Sequence, residues 1–382
     1  MRVCYFGTYE RDYPRNRVLI QALQEVGIEV VECHRPLWEK TRHKFGAFLS
    51  PLSLLRLAFQ ALWVYFRLTA RYVSIGPCDA VVVGYIGQLD MIPAWLLTRL
   101  PRRRLLFNPM VSIYETLVED RRERSERSLL GRLSRWADWI ACRLSDGVIL
   151  DTDQNIQYFC RMFDLPRESC HRVFIGADER FFRPIRRAKS DATFHVLFYG
   201  KLIPLHGIET VLDAACLLRS QPMIRFEVIG TGQLSDSVAA QARRLDLQNV
   251  RFVDWVDYET LPERIAQSDL CLGIFGRGSK AGRVIPNKVY QALAMAKPVL
   301  TRDSDAIREL FPDGKGIYLV PPADPNALAD AILRIFHEPT QAAETAEQGR
   351  RIFASGAGTR VLGQEFLRIA AVVDKTAAET AS

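Results

Sequence analysis

The stretch GRGSKAGRVIPNKVYQALAMAKPVL, residues 276–300, joins a basic loop to a helix and then to a strand. Its first half reads as a loop: Gly276, Gly278 and Gly282 permit close approach and positive φ, while Lys280, Arg283 and Lys288 bring three cations into it. Pro286 stands at the mouth of a helix, where its missing N–H costs nothing. From Asn287 the apolar residues Val289, Leu293 and Ala296 recur at helical spacing, and Pro298 ends the helix and opens a short strand, Pro298 to Thr301. A basic, glycine-containing loop feeding a helix N-terminus suits an anion, because free backbone N–H groups and the helix dipole both favour phosphate. A charged surface loop before an ordinary α/β crossover accounts for the same residues.

The 382 residues around this stretch, 48% of them hydrophobic, suffice for two domains with substantial cores. That composition excludes the disordered and fibrous classes. Lys and Arg number 51 against 44 Asp and Glu, a net charge of +7. The excess suits a polyanion, an anionic membrane face or a nucleoside diphosphate, without choosing among them. Cys4, Cys33, Cys78, Cys142, Cys160, Cys170, Cys216 and Cys271 are scattered, several in apolar runs, with no CxxC pair. They read as the reduced, buried cysteines of a cytosolic chain. The six histidines are dispersed, giving a zinc site little support. The opening MRVCYFGTYE turns polar almost at once, so no secretory leader is expected.

Outward from the stretch, the C-terminal half alternates strand and helix. His195 to Tyr199 is a strand, Gly200 to His206 a loop and Gly207 to Leu218 a helix. Ile224 to Ile229 ends at Gly230 and Gly232 before a helix running through Leu245, and Val250 to Val253 and Leu270 to Ile274 are further strands. Gly316 to Val320 is a late strand, Asp324 caps a helix, and residues 341–373 are helical, with a frayed tail after Asp374. The polar run Arg186 to Thr193 marks the domain boundary.

The N-terminal half repeats the pattern. Strand Val3 to Phe6, helix Arg15 to Val26 and strand Ile28 to Cys33 open a Rossmann-like domain, although Gly7 alone is no GxGxxG fingerprint. The loop carrying Tyr13, Arg15 and Arg17 receives a substrate or is plain surface. Ala80 to Val83, Leu105 to Phe107, Gly147 to Leu150 and Arg172 to Ile175 are strands, with a helix around Met91 to Thr98. Ser112 and Glu115 follow a strand end, a position that faces a cleft or merely caps a helix. The charged run Glu119 to Arg127 is a solvated face, and Trp136, Ile140 and Leu144 share a core face.

Residues 45–73 form an amphipathic segment. Leu54, Leu55, Ala58, Phe59, Leu62, Phe66 and Thr69 take one side of a helix, and Arg56, Gln60, Arg67 and Arg71 the other. The uncharged run is too short to span a bilayer. It suits an interfacial helix, with Lys40, Arg42 and Lys44 ahead of it and Trp63, Tyr65 and Tyr72 as anchors, or a core helix packed on a sheet.

In order and spacing, FYGKLIPLHGIETVLDAA, RFEVIGTG, NVRFVDWV, SDLCLGIFG, IPNKVYQALAMAKPVLT and GIYLVPPADPNALADAI resemble the retaining glycosyltransferases of family 4. The resemblance is strong over the C-terminal domain and weaker over the N-terminal one. It implies an α/β GT-B fold, two Rossmann-like α/β/α domains facing each other across a cleft: 1–187 for the acceptor, 188–350 for the nucleotide-sugar, and 351–382 as a helix packing back on the first domain with a tail. It implies a nucleotide-diphospho-sugar donor, no cofactor, no active-site metal, and retention at the anomeric carbon. The acceptor is expected to be lipid-linked or amphipathic and in envelope glycan or glycolipid synthesis, the enzyme cytoplasmic and peripheral on an anionic membrane face, and nucleic acid no partner.

Carried onto this sequence, the resemblance puts Lys201 where an arginine usually meets the diphosphate and His206 where a lysine usually stands. Lys201, Lys288 and Arg283 are the catalytic candidates; Gly7, Gly200, His206, Gly230, Gly232, Lys280 and Gln291 the donor-binding ones; Tyr13, Arg15, Arg17, Ser112 and Glu115 the acceptor-side ones. Arg283 and Gln291 replace a pair of family glutamates. The loop is then rebuilt around cations, reads the sugar differently, or belongs to a nucleotide-sugar-binding scaffold with lost catalysis. A nucleotide-sugar epimerase is a further alternative.

Overall fold

The computed structural model describes residues 1–37, 51–120, 125–185 and 192–379, with backbone alone at 51–58, 120 and 374–379. Two units divide the chain: Met1–Phe174 with Thr359–Ser382, and Ile175–Gly358. The sequence divisions at 187/188 and 350/351 differ from these, and most of the polar run 186–193 lies outside the described residues.

The first unit runs β1 (Arg2–Gly7), α1 (Pro14–Glu25), β2 (Glu29–His34), α2 (Pro51–Ile75), β3 (Ala80–Val83), α3 (Met91–Arg99), β4 (Arg104–Phe107), α4 (Leu129–Leu144), β5 (Gly147–Leu150), α5 (Asp153–Phe163) and β6 (Cys170–Arg172). Its strands form one parallel sheet ordered β2-β1-β3-β4-β5-β6. The inner strands are buried apolar runs such as AVVV of β3, as a sheet covered on both faces requires. Thr152, in the polar run DTDQN at 151–155, caps α5, its hydroxyl accepting from the Asn155 N–H at 3.0 Å.

The second unit runs β7 (Phe194–Tyr199), α6 (Ile208–Leu217), β8 (Ile224–Ile229), α7 (Ser235–Arg244), β9 (Val250–Val253), α8 (Leu261–Gln267), β10 (Leu270–Leu272), α9 (Ser279–Arg283), α10 (Asn287–Ala294), β11 (Val299–Arg302), α11 (Asp305–Leu310), β12 (Tyr318–Val320), α12 (Pro325–His337) and α13 (Pro339–Gly356). Its parallel sheet is ordered β12-β11-β10-β7-β8-β9. The last helix, α14 (Thr359–Glu379), packs on α1 in the first unit. Close approach is built in there: a Cβ on Gly363 would lie 2.7 Å from Cγ1 of Val26.

Several expectations are corrected. The loop 276–286 contains α9, a short helix. The strand expected to reach Ile175 ends at Arg172. On α4 the buried face is Gly131, Ser134, Asp138, Ala141 and Cys142, while Trp136 is 57% exposed and Ile140 and Leu144 are half-buried. Aromatic bulk misleads there, because small residues let the helix approach the sheet. On α2, Leu68 and Tyr72 face the core; Phe59, Leu62 and Phe66 are exposed beside Arg67 and Arg71. Tyr72 is thus no membrane anchor, and Tyr65 turns its hydroxyl to Asp90. Lys40, Arg42, Lys44 and the segment 45–50 lie outside the described residues, as do 121–124 of the charged run.

Candidate functional site

Parallel sheets bind ligands beyond the carboxyl ends of their strands, where the strand order reverses direction. In the second unit that point lies between β7 and β10, since the chain runs from β7 outward to β9 and then returns to β10. The loops leaving these strands are locked by glycines. Gly200, ending β7, has φ +130°, and a Cβ on Gly230 would overlap the Gly200 carbonyl oxygen. Gly207 has φ +62° and lies so close to the segment after β10 that a Cβ would approach the Gly276 nitrogen at 2.5 Å. Backbone thus meets backbone across three strand ends, and no other residue fits.

Lys288 sits in this crossing, on the first turn of α10. Its side chain is buried, and its Nζ, 3.7 Å from the centroid of the Phe198 ring, has no hydrogen-bond partner. Burial holds the ammonium well below the ordinary lysine range. The Tyr199 hydroxyl donates to the Lys288 carbonyl at 3.0 Å, tying the start of α10 to β7. A buried, unpaired cation is costly, and here only ring faces attend it.

His206 adjoins it. A Cβ built on Gly200 would lie 3.2 Å from Cε1 of His206 and 3.4 Å from Nζ of Lys288. Nδ1 of His206 lies 2.6 Å from the Lys201 carbonyl oxygen. A carbonyl only accepts, so Nδ1 carries the proton and Nε2 keeps its lone pair in the neutral ring. Burial, then the Lys288 charge, pushes the imidazole well below its usual pKa. The two groups therefore form a site that gains from an incoming anion, which raises both pKa values and recruits positive charge.

The other candidates divide. Lys280 on α9 and Gln291 on α10 are buried, Arg283 is half-buried, and Lys201 is exposed. Gly232 is pressed against the backbone of Leu202, and a pocket of about 530 Å³ opens beside Gly230 and Thr231 against α7. Two groups went unmarked in the sequence: Asn287, whose Oδ1 is buried without a partner, and Arg302, whose Nη1 donates to the Gly276 carbonyl at 2.5 Å. Asn287 was legible as the residue after Pro286 at a helix start; Arg302, beyond the helix, carried no signal.

In the first unit the structure does not bring the acceptor-side candidates to a common surface. Arg15 is buried, its Nε donating to Oδ1 of Asn108 and its Nη1 to the Val173 and Phe174 carbonyls. Ser112 is buried and donates to Asp138, and Glu115 is buried behind it. Tyr13, its ring tilted against that of Tyr85 at 4.4 Å, and Arg17 are half-buried. Gly7, with φ +128°, leaves no room for a Cβ against the Asp90 carboxylate. Among the described residues, no group of three or more His, Cys, Asp and Glu is placed to hold a metal ion.

Residues 193–338 match the family described as glycosyl transferases group 1. The second unit carries a group 1 glycosyltransferase domain. Over 250 residues the chain is 25% identical to alpha-D-kanosaminyltransferase of Streptomyces kanamyceticus, covering 60% of this chain and 63% of that protein. The chain therefore spans under two thirds of the length of that relative. Sucrose-phosphate synthase from Thermosynechococcus elongatus superposes with a TM-score of 0.73 at 16% identity over the whole of both chains. HepE of Anabaena, solved in complex with UDP-glucose, superposes with a TM-score of 0.66 at 16% identity over 99% of this chain and all of the other. These likenesses establish the GT-B fold around the glycosyltransferase domain.

Proposed function

We propose that the chain transfers a sugar, with retention of anomeric configuration, from a nucleotide-diphospho-sugar to a hydroxyl of a lipid-linked or amphipathic acceptor. The observation that carries this reading is the unpaired Lys288 ammonium at the first turn of α10, inside the glycine-locked crossing of β7, β8 and β10. A diphosphate answers each of its deficits: it pairs the ammonium, occupies the free N–H groups of α10, and gives His206 Nε2 an acceptor once that nitrogen is protonated.

As the anomeric C–O bond to phosphate breaks, negative charge grows on the leaving diphosphate. Lys288 and His206 are preorganised to stabilise it more in the transition state than in the ground state. The acceptor oxygen bonds to the anomeric carbon on the face that phosphate leaves, and its proton passes to the departing phosphate oxygen. A nucleoside diphosphate and a glycoside are released. Lys280 and Arg283 supply further positive charge from α9, and the pocket beside Gly230 suits the nucleoside. The UDP-glucose held by HepE makes a uridine donor the first to test. The eight free thiols fit a reducing, cytoplasmic setting at the inner face of a membrane.

Calorimetry with UDP-, GDP-, ADP- and TDP-sugars, repeated in EDTA, tests the donor half. One preferred donor that binds without metal is the expected result, and the anomeric configuration of the product, read by NMR, tests retention. Silence from every donor in a folded sample would leave a scaffold with lost catalysis.

A further inference from the structure

Three consecutive helices of the first unit share a surface property that the transfer reaction does not use. From β2 through β3 and β4 to β5 the chain moves in one direction across the sheet, so right-handed crossovers put α2, α3 and α4 on the same face. They lie side by side, α3 packing on both neighbours. Each presents apolar side chains outward. Phe59, Leu62 and Phe66 of α2 are 74%, 69% and 66% exposed. Leu96 of α3, and Leu133 and Trp136 of α4, continue the exposed apolar surface.

Each helix also carries an arginine laid over a tryptophan one turn before it. Arg67 lies 5.6 Å from the Trp63 ring, Arg99 5.4 Å from Trp95, and Arg143 5.6 Å from Trp139. Beside the first pair is an open pocket of about 690 Å³, lined by Arg35, Arg67 and Arg71 together with Trp63 and Phe66, and by no carboxylate. The Arg35 Nε there is buried without a hydrogen-bond partner. In sequence, α2 and α3 contain no acidic residue, and the single one of α4, Asp138, is buried.

We propose that the outward face of α2, α3 and α4 docks on an anionic lipid bilayer, with phospholipid phosphate in the arginine pocket. This rests on the lipid half of the proposed function and gives it a surface. Apolar side chains enter the acyl boundary, tryptophans sit at headgroup depth, and arginines reach phosphates. No helix among the described residues is long and apolar enough to cross a membrane, so the helices lie in the interface. A second copy of this face is the poorer occupant, because two-fold pairing would set the Arg35, Arg67 and Arg71 pocket against itself, and no carboxylate lines that pocket.

The test is sedimentation of the full chain with phosphatidylcholine vesicles with and without phosphatidylglycerol, in the absence of donor. The protein should pellet with the anionic vesicles only. Replacing Arg35, Arg67 and Arg71 together by Ala should weaken that partition on the order of 100-fold. Phe59→Ser with Leu62→Ser and Phe66→Ser should weaken it on the same order. All six positions are at the surface pocket or on the exposed face, so unfolding midpoints should hold. Wild-type protein remaining in the supernatant, equal binding to neutral vesicles, or indifference to both triple variants would overturn the proposal. So would a dimer in sedimentation velocity that the serine variant splits. Donor binding by calorimetry separates the two readings: its presence without vesicle binding sinks the docking face alone, and vesicle binding without any donor sinks the transfer reaction alone.

Discussion

The two units place opposite charges at comparable positions and treat them differently. At the β1/β3 reversal of the first sheet, the buried Asp90 carboxylate accepts from the Thr8 N–H at 2.7 Å and from the Tyr65 hydroxyl at 2.9 Å, under Gly7. Asp138 accepts from Ser112, Ile113, Tyr114 and Gln88, and Asp151 from Asn155. At the β7/β10 reversal of the second sheet, Lys288 is buried with no hydrogen-bond partner. Both arrangements desolvate an ionisable group, but only the first supplies dipoles in return. A satisfied carboxylate fixes loops; an unsatisfied ammonium is a site that a ligand completes.

The largest expected effect is on the satisfied side. Asp138→Ala orphans four donors and should cost about 4 kcal/mol of stability. Urea unfolding measures it, and a loss below about 1 kcal/mol would mean that water replaces the carboxylate. On the other side, Lys288→Ala should lower turnover roughly 100-fold, about 3 kcal/mol of barrier, by removing a charge aimed at the leaving diphosphate. Near-normal kcat would remove Lys288 from the machinery. A sharper contrast comes from Lys288→Met in the empty protein. An apolar side chain of similar length replaces an unpaired buried cation, so stability should rise by about 1–2 kcal/mol while donor binding is lost. A destabilised variant would show that the ammonium has a structural partner after all.

The parallel-sheet architecture was legible because buried strands such as AVVV and GVIL are apolar throughout and are bounded by glycine, Pro or cap residues. Facing was less legible. Sequence periodicity says that α2 and α4 have an apolar stripe, but not whether it meets the sheet, and in both helices much of it meets solvent. Within the candidate site, Lys288 and the glycines stood out by type and position. Arg15 and Ser112 stood out equally and proved to hold backbone and carboxylate in the interior, since a polar residue after a strand serves a loop as readily as a ligand. Asn287 could be read from its place after Pro286 at a helix start, whereas Arg302 needed the fold to bring it to the Gly276 carbonyl.

The smallest effect probes the charge state of the satisfied side. Burial lifts Asp90, Asp138 and Asp151 each to about 6, against donors that favour the charged form. A carboxyl whose folded pKa is raised adds stability below its unfolded value near 4, and that stability is lost as pH climbs through about 6. His206 and Lys288, both lowered in the second unit, run the other way: the unfolded chain holds their protons more tightly, so stability falls as pH drops through the unfolded lysine range near 10.5 for Lys288 and the unfolded imidazole range near 6.5 for His206. Tyr65→Phe removes one donor to Asp90 without touching its charge. At pH 8, with the carboxylate ionised, it should cost about 1.5 kcal/mol; at pH 5, with the acid neutral, about 0.5 kcal/mol. Urea unfolding at the two pH values gives the difference. An equal loss at both would show that Asp90 keeps one protonation state throughout, and that the closed site of the first unit is held by packing around the carboxyl instead of by its charge.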